Sequence, residues 1–308
     1  MVLQKQFMLC ATGLALLASQ APAQEQRDGR EKAMSRRFIA GTAEHYRVSL
    51  SLRAESHSVA TQTVAAQTYV APVTHEAEVR MRWNVTRKVE AVKADGSAAV
   101  SESLEILGGC DAPAQAPERL DEAMQKGLDE FCAGWLKEGA ASYVESPRGA
   151  MSGLPRSAPA LGETSPPLLS LWLVRAVRPN ALFPTLHVQP GEKSQRTLHP
   201  TDAALPDAEG SESTEWVDAP GDAPAVTLHV VQRLSWRETA KPSDVTPREA
   251  SFFADSLTTV SLLDGSVQRA SRSASRETSH KVDPVPGLPD PPDFSTKLTA
   301  TIAIERLP

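Results

Sequence analysis

Seven histidines, two cysteines beyond residue 23 and several clustered carboxylates are the side chains of this chain with the types and spacing that invite chemistry. The histidines are His45, His57, His75, His187, His199, His229 and His280, and none sits in a metal-binding H-E-x-x-H spacing. His75-Glu76-Ala77-Glu78 comes nearest. In a strand, successive side chains point to opposite faces, so His75 cannot converge with either glutamate. A serine nucleophile needs a sharp G-x-S-x-G turn or a neighbouring base. Gly210-Ser211-Glu212-Ser213 and Gly149-Ala150-Met151-Ser152-Gly153 both miss that spacing, and S-x-x-K, phosphate-loop and dinucleotide motifs are absent. Glu76/Glu78 and Glu102/Glu105 are acidic pairs, but a glycosidase pair is defined by separation in space. Asn84-Val85-Thr86 matches a glycosylation sequon. These patterns predict no catalytic residue, no cofactor and no metal ligand, and hence a protein that is not an enzyme.

Two chemical pairings are expected. Cys110 and Cys132 form an even pair in a chain bearing an export signal, which predicts a disulfide. Closing that loop would contribute about 3 kcal/mol by chain entropy. Arg87 and Glu102 are the two charged residues on the apolar faces of adjacent predicted strands, which predicts a buried ion pair between them.

The export signal occupies residues 1–23: Lys5, the apolar run Phe7–Ala18, and an A-x-A site at Ala21 and Ala23. The run is shorter than the roughly 20 residues that span a bilayer as a helix. Cys10 lies inside the run behind Leu9, which argues against lipidation. Lys5 is the only charged residue of the signal, so its removal takes the net charge from −6 to −7. An acidic chain lacks the basic footprint of a nucleic-acid binder. The expected protein is exported to the periplasm or beyond the cell, binds no nucleic acid, and is not integral to the membrane after signal cleavage.

The elements that must position these residues are mostly strands. A polar leader, 24–40, precedes a single β-rich domain, 41–308. Its first sheet half with a helix spans 41–144, a connector with a short apolar helix 145–224, and a second sheet half 225–308. Tyr46, Val48, Leu50 and Leu52 alternate with polar residues, and Thr63–Val70 is a weaker strand segment. The strongest alternation runs from Ala77 through Val79, Met81, Trp83, Val85 and Val89 to Ala91, broken only by Arg87. At about 3.3 Å per residue such a ribbon extends roughly 50 Å and implies a strongly curved sheet or a bulge. Asp95-Gly96 predicts a two-residue hairpin turn, which sets Val85 opposite Ile106, Arg87 opposite Leu104 and Val89 opposite Glu102. Asp264-Gly265 signals a second hairpin, and Phe294–Glu305 a last strand.

Leu120, Met124, Leu128, Phe131 and Trp135 form an apolar stripe on a predicted helix, Pro117–Lys137, with a Glu122–Lys126 pair. A second helix, Pro166–Val177, is apolar nearly all round and carries Arg175 and Arg178 near its negative end. Residues 180–224 read as loops with short strands near Leu186 and Trp216. The expected fold class is mainly β (α+β): a large curved antiparallel sheet, half-barrel-like, covered by one or two helices. The expected function is a non-catalytic envelope protein binding an apolar small molecule or an envelope protein in the sheet's concavity. The alternatives are a structural or assembly protein of the envelope and a hydrolase with a dispersed active site.

Overall fold

The computed structural model describes residues 36–64, 67–108, 122, 125–127, 129–130, 133–134, 140–147, 149–154, 167–180, 193–198, 208–218, 224–238, 248–280 and 294–308. The expected signal at 1–23, Cys110, Cys132, Leu186 and the apolar stripe of the expected helix Pro117–Lys137 lie outside these residues. The described positions between 122 and 134 are helical, and there Lys126 lies 3.9 Å from Glu130, so its ion pair runs one turn onward instead of back to Glu122.

Eleven strands form one antiparallel sheet: β1 Ala43–Val64, β2 Gln67–Val92, β3 Ala98–Ile106, β4 Ala141–Glu145, β5 Met151–Ser152, β6 Lys193–Leu198, β7 Glu209–Asp218, β8 Ala225–Glu238, β9 Arg248–Ser261, β10 Val267–His280 and β11 Phe294–Arg306. Their order is β5-β4-β3-β2-β1-β11-β10-β9-β8-β7-β6, so the sheet is open, with β5 and β6 at its ends and the N- and C-terminal strands paired at its centre. Strand β2 runs 26 residues and pairs with β1 from Lys88 to Gln67 without a break in register.

Side-chain alternation with water on one flank dictates a one-sided core. Tyr46, Val48, Leu50 and Leu52 of β1 lie buried beside Ala77, Val79, Met81, Trp83 and Val85 of β2 and Ala300, Ile302 and Ile304 of β11. The same cluster takes in the helix α1, Pro167–Ala176, through Leu169, Trp172, Leu173 and Val174. Leu169 and Leu173 are 0 % exposed, and burying a side chain of that size contributes about 1.5–3 kcal/mol. Arg178, just beyond α1, bonds to Glu102 on β3, while its carbonyl accepts from Arg272 on β10. Those strands stand four spacings apart, about 19 Å on a flat sheet. The sheet curls around the helix.

The first hairpin corrects the expected register. Lys93 N–H bonds to Ser97 O at 2.7 Å and Gly96 N–H to Lys93 O at 3.0 Å, giving a three-residue loop with Gly96 at φ +79°. A register shift between Val89 and Ala91 follows. Val85 then faces Leu104, Arg87 faces Glu102 and Val89 faces Val100. The second hairpin uses a four-residue loop, closed by Ser261 N–H to Ser266 O at 2.9 Å. Both loops end in Asp-Gly followed by the closing serine, and in both the Asp carboxylate accepts that serine's N–H and hydroxyl. Three further expectations are corrected. Thr63–Val70 divides between β1 and β2, residues 193–198 form a regular strand where a loop was read, and β4 stands where no strand was read, while the strand expected near Trp216 is present and runs over Glu209–Asp218.

Candidate functional site

The densest chemistry is a buried charge cluster at the end of the sheet where β1 to β4 meet the end of α1. Arg36 precedes β1, Glu44 lies on β1, Arg87 on β2, Glu102 on β3, Glu145 on β4, and Arg178 and Asn180 follow α1. Arg87 and Glu145 are both 0 % exposed. Arg87 donates to Glu44 at 2.9 Å and forms a short ion pair with Glu145. Arg36 pairs with Glu44 and sits 3.6 Å from the other oxygen of Glu145. Asn180 donates to Glu145 at 3.5 Å. The ring of Phe38 lies 5.4 Å from the Arg36 guanidinium and 5.8 Å from that of Arg87.

Arg87 and Glu102 stand directly opposite each other and are both buried, but their side chains bond elsewhere, Arg87 to Glu44 and Glu145 and Glu102 to Tyr143 and Arg178. Glu102 accepts from the Tyr143 hydroxyl at 2.7 Å and pairs with Arg178. The reason is availability. Glu145 and Glu44 flank the Arg87 fork, while Arg178 descends from α1 onto Glu102, so two pairs replace one. Arg272 donates to the carbonyls of Ala176, Arg178 and Pro179, at 2.7 Å for the last two. It caps the negative end of α1, the role expected of Arg175 and Arg178.

Burial pushes the Glu44 carboxyl up, but Arg36 and Arg87 outweigh it and hold the group below its ordinary value. Burial pulls Arg87 down, and Glu145, Tyr143 and Glu44 more than reverse that, so its pKa is raised. Desolvation and the Glu102 charge push Tyr143 well above the usual phenol range. Burial alone lowers Arg272 to about 9, so it stays charged at neutral pH. The carboxylates are locked between guanidinium groups, Glu44 and Glu145 around Arg87 and Glu102 against Arg178. The cluster fastens six elements together.

A second feature is an open groove of about 770 Å³ on the opposite half of the sheet, where Glu209, Glu249 and Glu277 gather with Arg237 and several serines. These three glutamates are exposed. Among the described residues no group of three His, Cys, Asp or Glu side chains is placed to hold a metal. His229 Nε2 lies 2.9 Å from Asp255, but Glu215 and Leu257, not a serine, flank His229 in the register. His57 and His45 instead contact Thr74 and Thr86 across the β1–β2 pair.

The third feature is the end of the β1–β2 hairpin, which has no neighbouring strand among the described residues. On one side β11 accompanies β1 only as far as the Ser295–His57 pair. On the other, β3 leaves β2 at Trp83, with one further bond from Leu107 N–H to the Arg82 carbonyl. Residues 58–64 and 67–73 therefore continue as a two-stranded ribbon, about 24 Å long at 3.4 Å per residue. Sequence reasoning missed this ribbon, although one signal was present: no Asp, Glu, Lys or Arg occurs from Ser58 to Thr74.

No protein-family model and no curated protein matches the chain. Among solved structures, the chain aligns with the InvG secretin domain β-barrel from the Salmonella SPI-1 injectisome NC-base at 7 % identity, covering 86 % of this chain and 63 % of that one, with a TM-score of 0.14. The open-gate secretin InvG (residues 176-end) of the same injectisome aligns at 5 % identity over 87 % of this chain and 62 % of that one, with a TM-score of 0.11. The chain thus spans less than two thirds of either structure. Scores this low establish no common fold. Among the described residues no helix is long and apolar enough to cross a membrane.

Proposed function

We propose that the chain is an exported, non-catalytic assembly protein of the cell envelope, which engages a protein partner by strand addition along the projecting end of the β1–β2 hairpin. The observation that carries this reading is the ribbon beyond His57, whose backbone edges lack neighbours among the described residues. A two-stranded hairpin is marginally stable in water by itself, and an unpaired edge is a template for another strand. Affinity in such contacts comes from main-chain hydrogen bonds. Occupation of the apolar face by α1 favours a partner at the edge over an apolar ligand in the concavity. Export rests on residues 1–23 and predicts a mature chain beginning at Gln24, in the periplasm or outside the cell.

The test places a photo-cross-linking residue at Val59 or Thr63 in the native host, with Arg47 as a control inside the paired sheet. The reading expects discrete protein adducts from the two ribbon positions and none from the control. Adducts confined to lipid, or equal labelling from all three positions, would count against it.

A further inference from the structure

We infer that the partner at this edge is a second copy of the chain, joined antiparallel through Ser58–Val64 of β1 about a two-fold axis at Thr61; this rests on the reading just proposed and names its partner. Backbone parity decides which groups are available. His45 carbonyl accepts from Leu307 on the β11 side, so odd-numbered residues of β1 direct their N–H and C=O toward β11. Beyond His57, the amides and carbonyls of Val59, Thr61 and Thr63 therefore face an edge that β11 has left.

The two edges of the ribbon differ in how they are guarded. On β2, Arg82 carbonyl accepts from Leu107 on the β3 side, so even-numbered residues face that edge. Pro72 falls on this parity and has no N–H to offer there. Further down, Glu76, Glu78, Arg80 and Arg82 add charge. Proline and charge are the devices that stop edge-to-edge pairing. The β1 edge from Ser58 to Val64 has neither.

Length and register then select a second copy. Pairing Thr61 with Thr61 sets Val59 against Thr63 and Ser58 against Val64, so every edge-facing residue meets another. Six main-chain hydrogen bonds result. The seven-residue partner strand ends with Val64 opposite Ser58, one residue short of the His57–Ser295 pair, so among the described residues the two ribbons fill the edge without colliding with β11. A segment without charged residues meets its own copy with no like-charge repulsion.

The test uses the full mature chain. Thr61→Pro removes an amide that faces the open edge and leaves the β1–β2 bonds in place. Light scattering should find the native chain dimeric at tens of micromolar and Thr61→Pro monomeric, with the same circular dichroism. Hydrogen-bonded antiparallel residues have Cα atoms about 5.5 Å apart, within disulfide range. Thr61→Cys should therefore give a dimer linked at residue 61 under mild oxidation, whereas Val59→Cys should not. A monomeric native chain, or a dimer unaffected by Thr61→Pro, overturns the inference. If the native chain is monomeric and Thr61→Pro still abolishes the adducts from Val59, self-pairing fails while a different partner at this edge stands.

Discussion

Replacing Arg87 with leucine measures the buried cluster most sharply. Arg87 is 0 % exposed and spans Glu44 and Glu145. Its loss leaves Glu145, whose side chain is 1 % exposed, with Arg36 at 3.6 Å and Asn180 at 3.5 Å as its nearest polar partners. Stranding one member of a buried ion pair costs about 3–5 kcal/mol, because the remaining charge keeps its desolvation penalty and loses its compensation. For a chain of this size that is a fall of about 10 °C in Tm. Urea unfolding of the mature chain, followed by tryptophan fluorescence, reads the change. Glu145→Leu added to Arg87→Leu removes the stranded charge and leaves the Arg36–Glu44 pair intact, so the double variant should recover at least about 2 kcal/mol relative to additivity. A loss below about 1 kcal/mol for Arg87→Leu, or simple additivity of the two changes, would refute the reasoning that these charges act as one buried unit.

Three further outcomes are expected. The Glu44 carboxyl is held below its ordinary value of 4.5, so its contribution to stability is complete above that pH and disappears as pH falls through the lower folded value; Glu44→Gln should be destabilised at neutral pH, and its gap from the native chain should close in acid unfolding curves. A Cβ at Gly210 would lie 2.2 Å from the Arg233 carbonyl, so Gly210→Ala should force β7 away from β8 and cost about 1–3 kcal/mol in thermal unfolding. A non-reduced digest of the chain purified from its native host should contain a linked Cys110–Cys132 peptide, and its reduction should cost about 3 kcal/mol.

The strands with water on one flank were legible. Tyr46 to Leu52, Ala77 to Val85 and Ala300 to Ile304 alternate, and each buries the predicted face, with Leu298 half-buried at the start of the last row. Alternation, however, defines register only to the nearest two residues. Moving β3 by two leaves every side chain on its face, so the pattern accepted both the expected register and the observed one; the three-residue loop and the shift near Glu90 decided between them. The change of strand between Val64 and Gln67 was illegible because Ala65-Ala66 carries no turn residue. Strand β7 was legible only near Trp216, because Glu212 and Thr214 share its buried face. The cluster was half legible. Arg87 and Glu102 stood out as charges on an apolar row, but Glu145 and Arg178 join them from 58 and 76 residues away, and local pattern carries no trace of such partners.

Site-resolved amide hydrogen exchange across a range of protein concentrations tests the central claim most directly. If the β1 edge beyond His57 is open in the single chain and closed by a second copy, the amides of Val59, Thr61 and Thr63 exchange rapidly in dilute solution. They should slow at least tenfold at high concentration, while those of Leu50 and Leu52 stay unchanged. Equal protection of Val59, Thr61 and Thr63 at every concentration would contradict it.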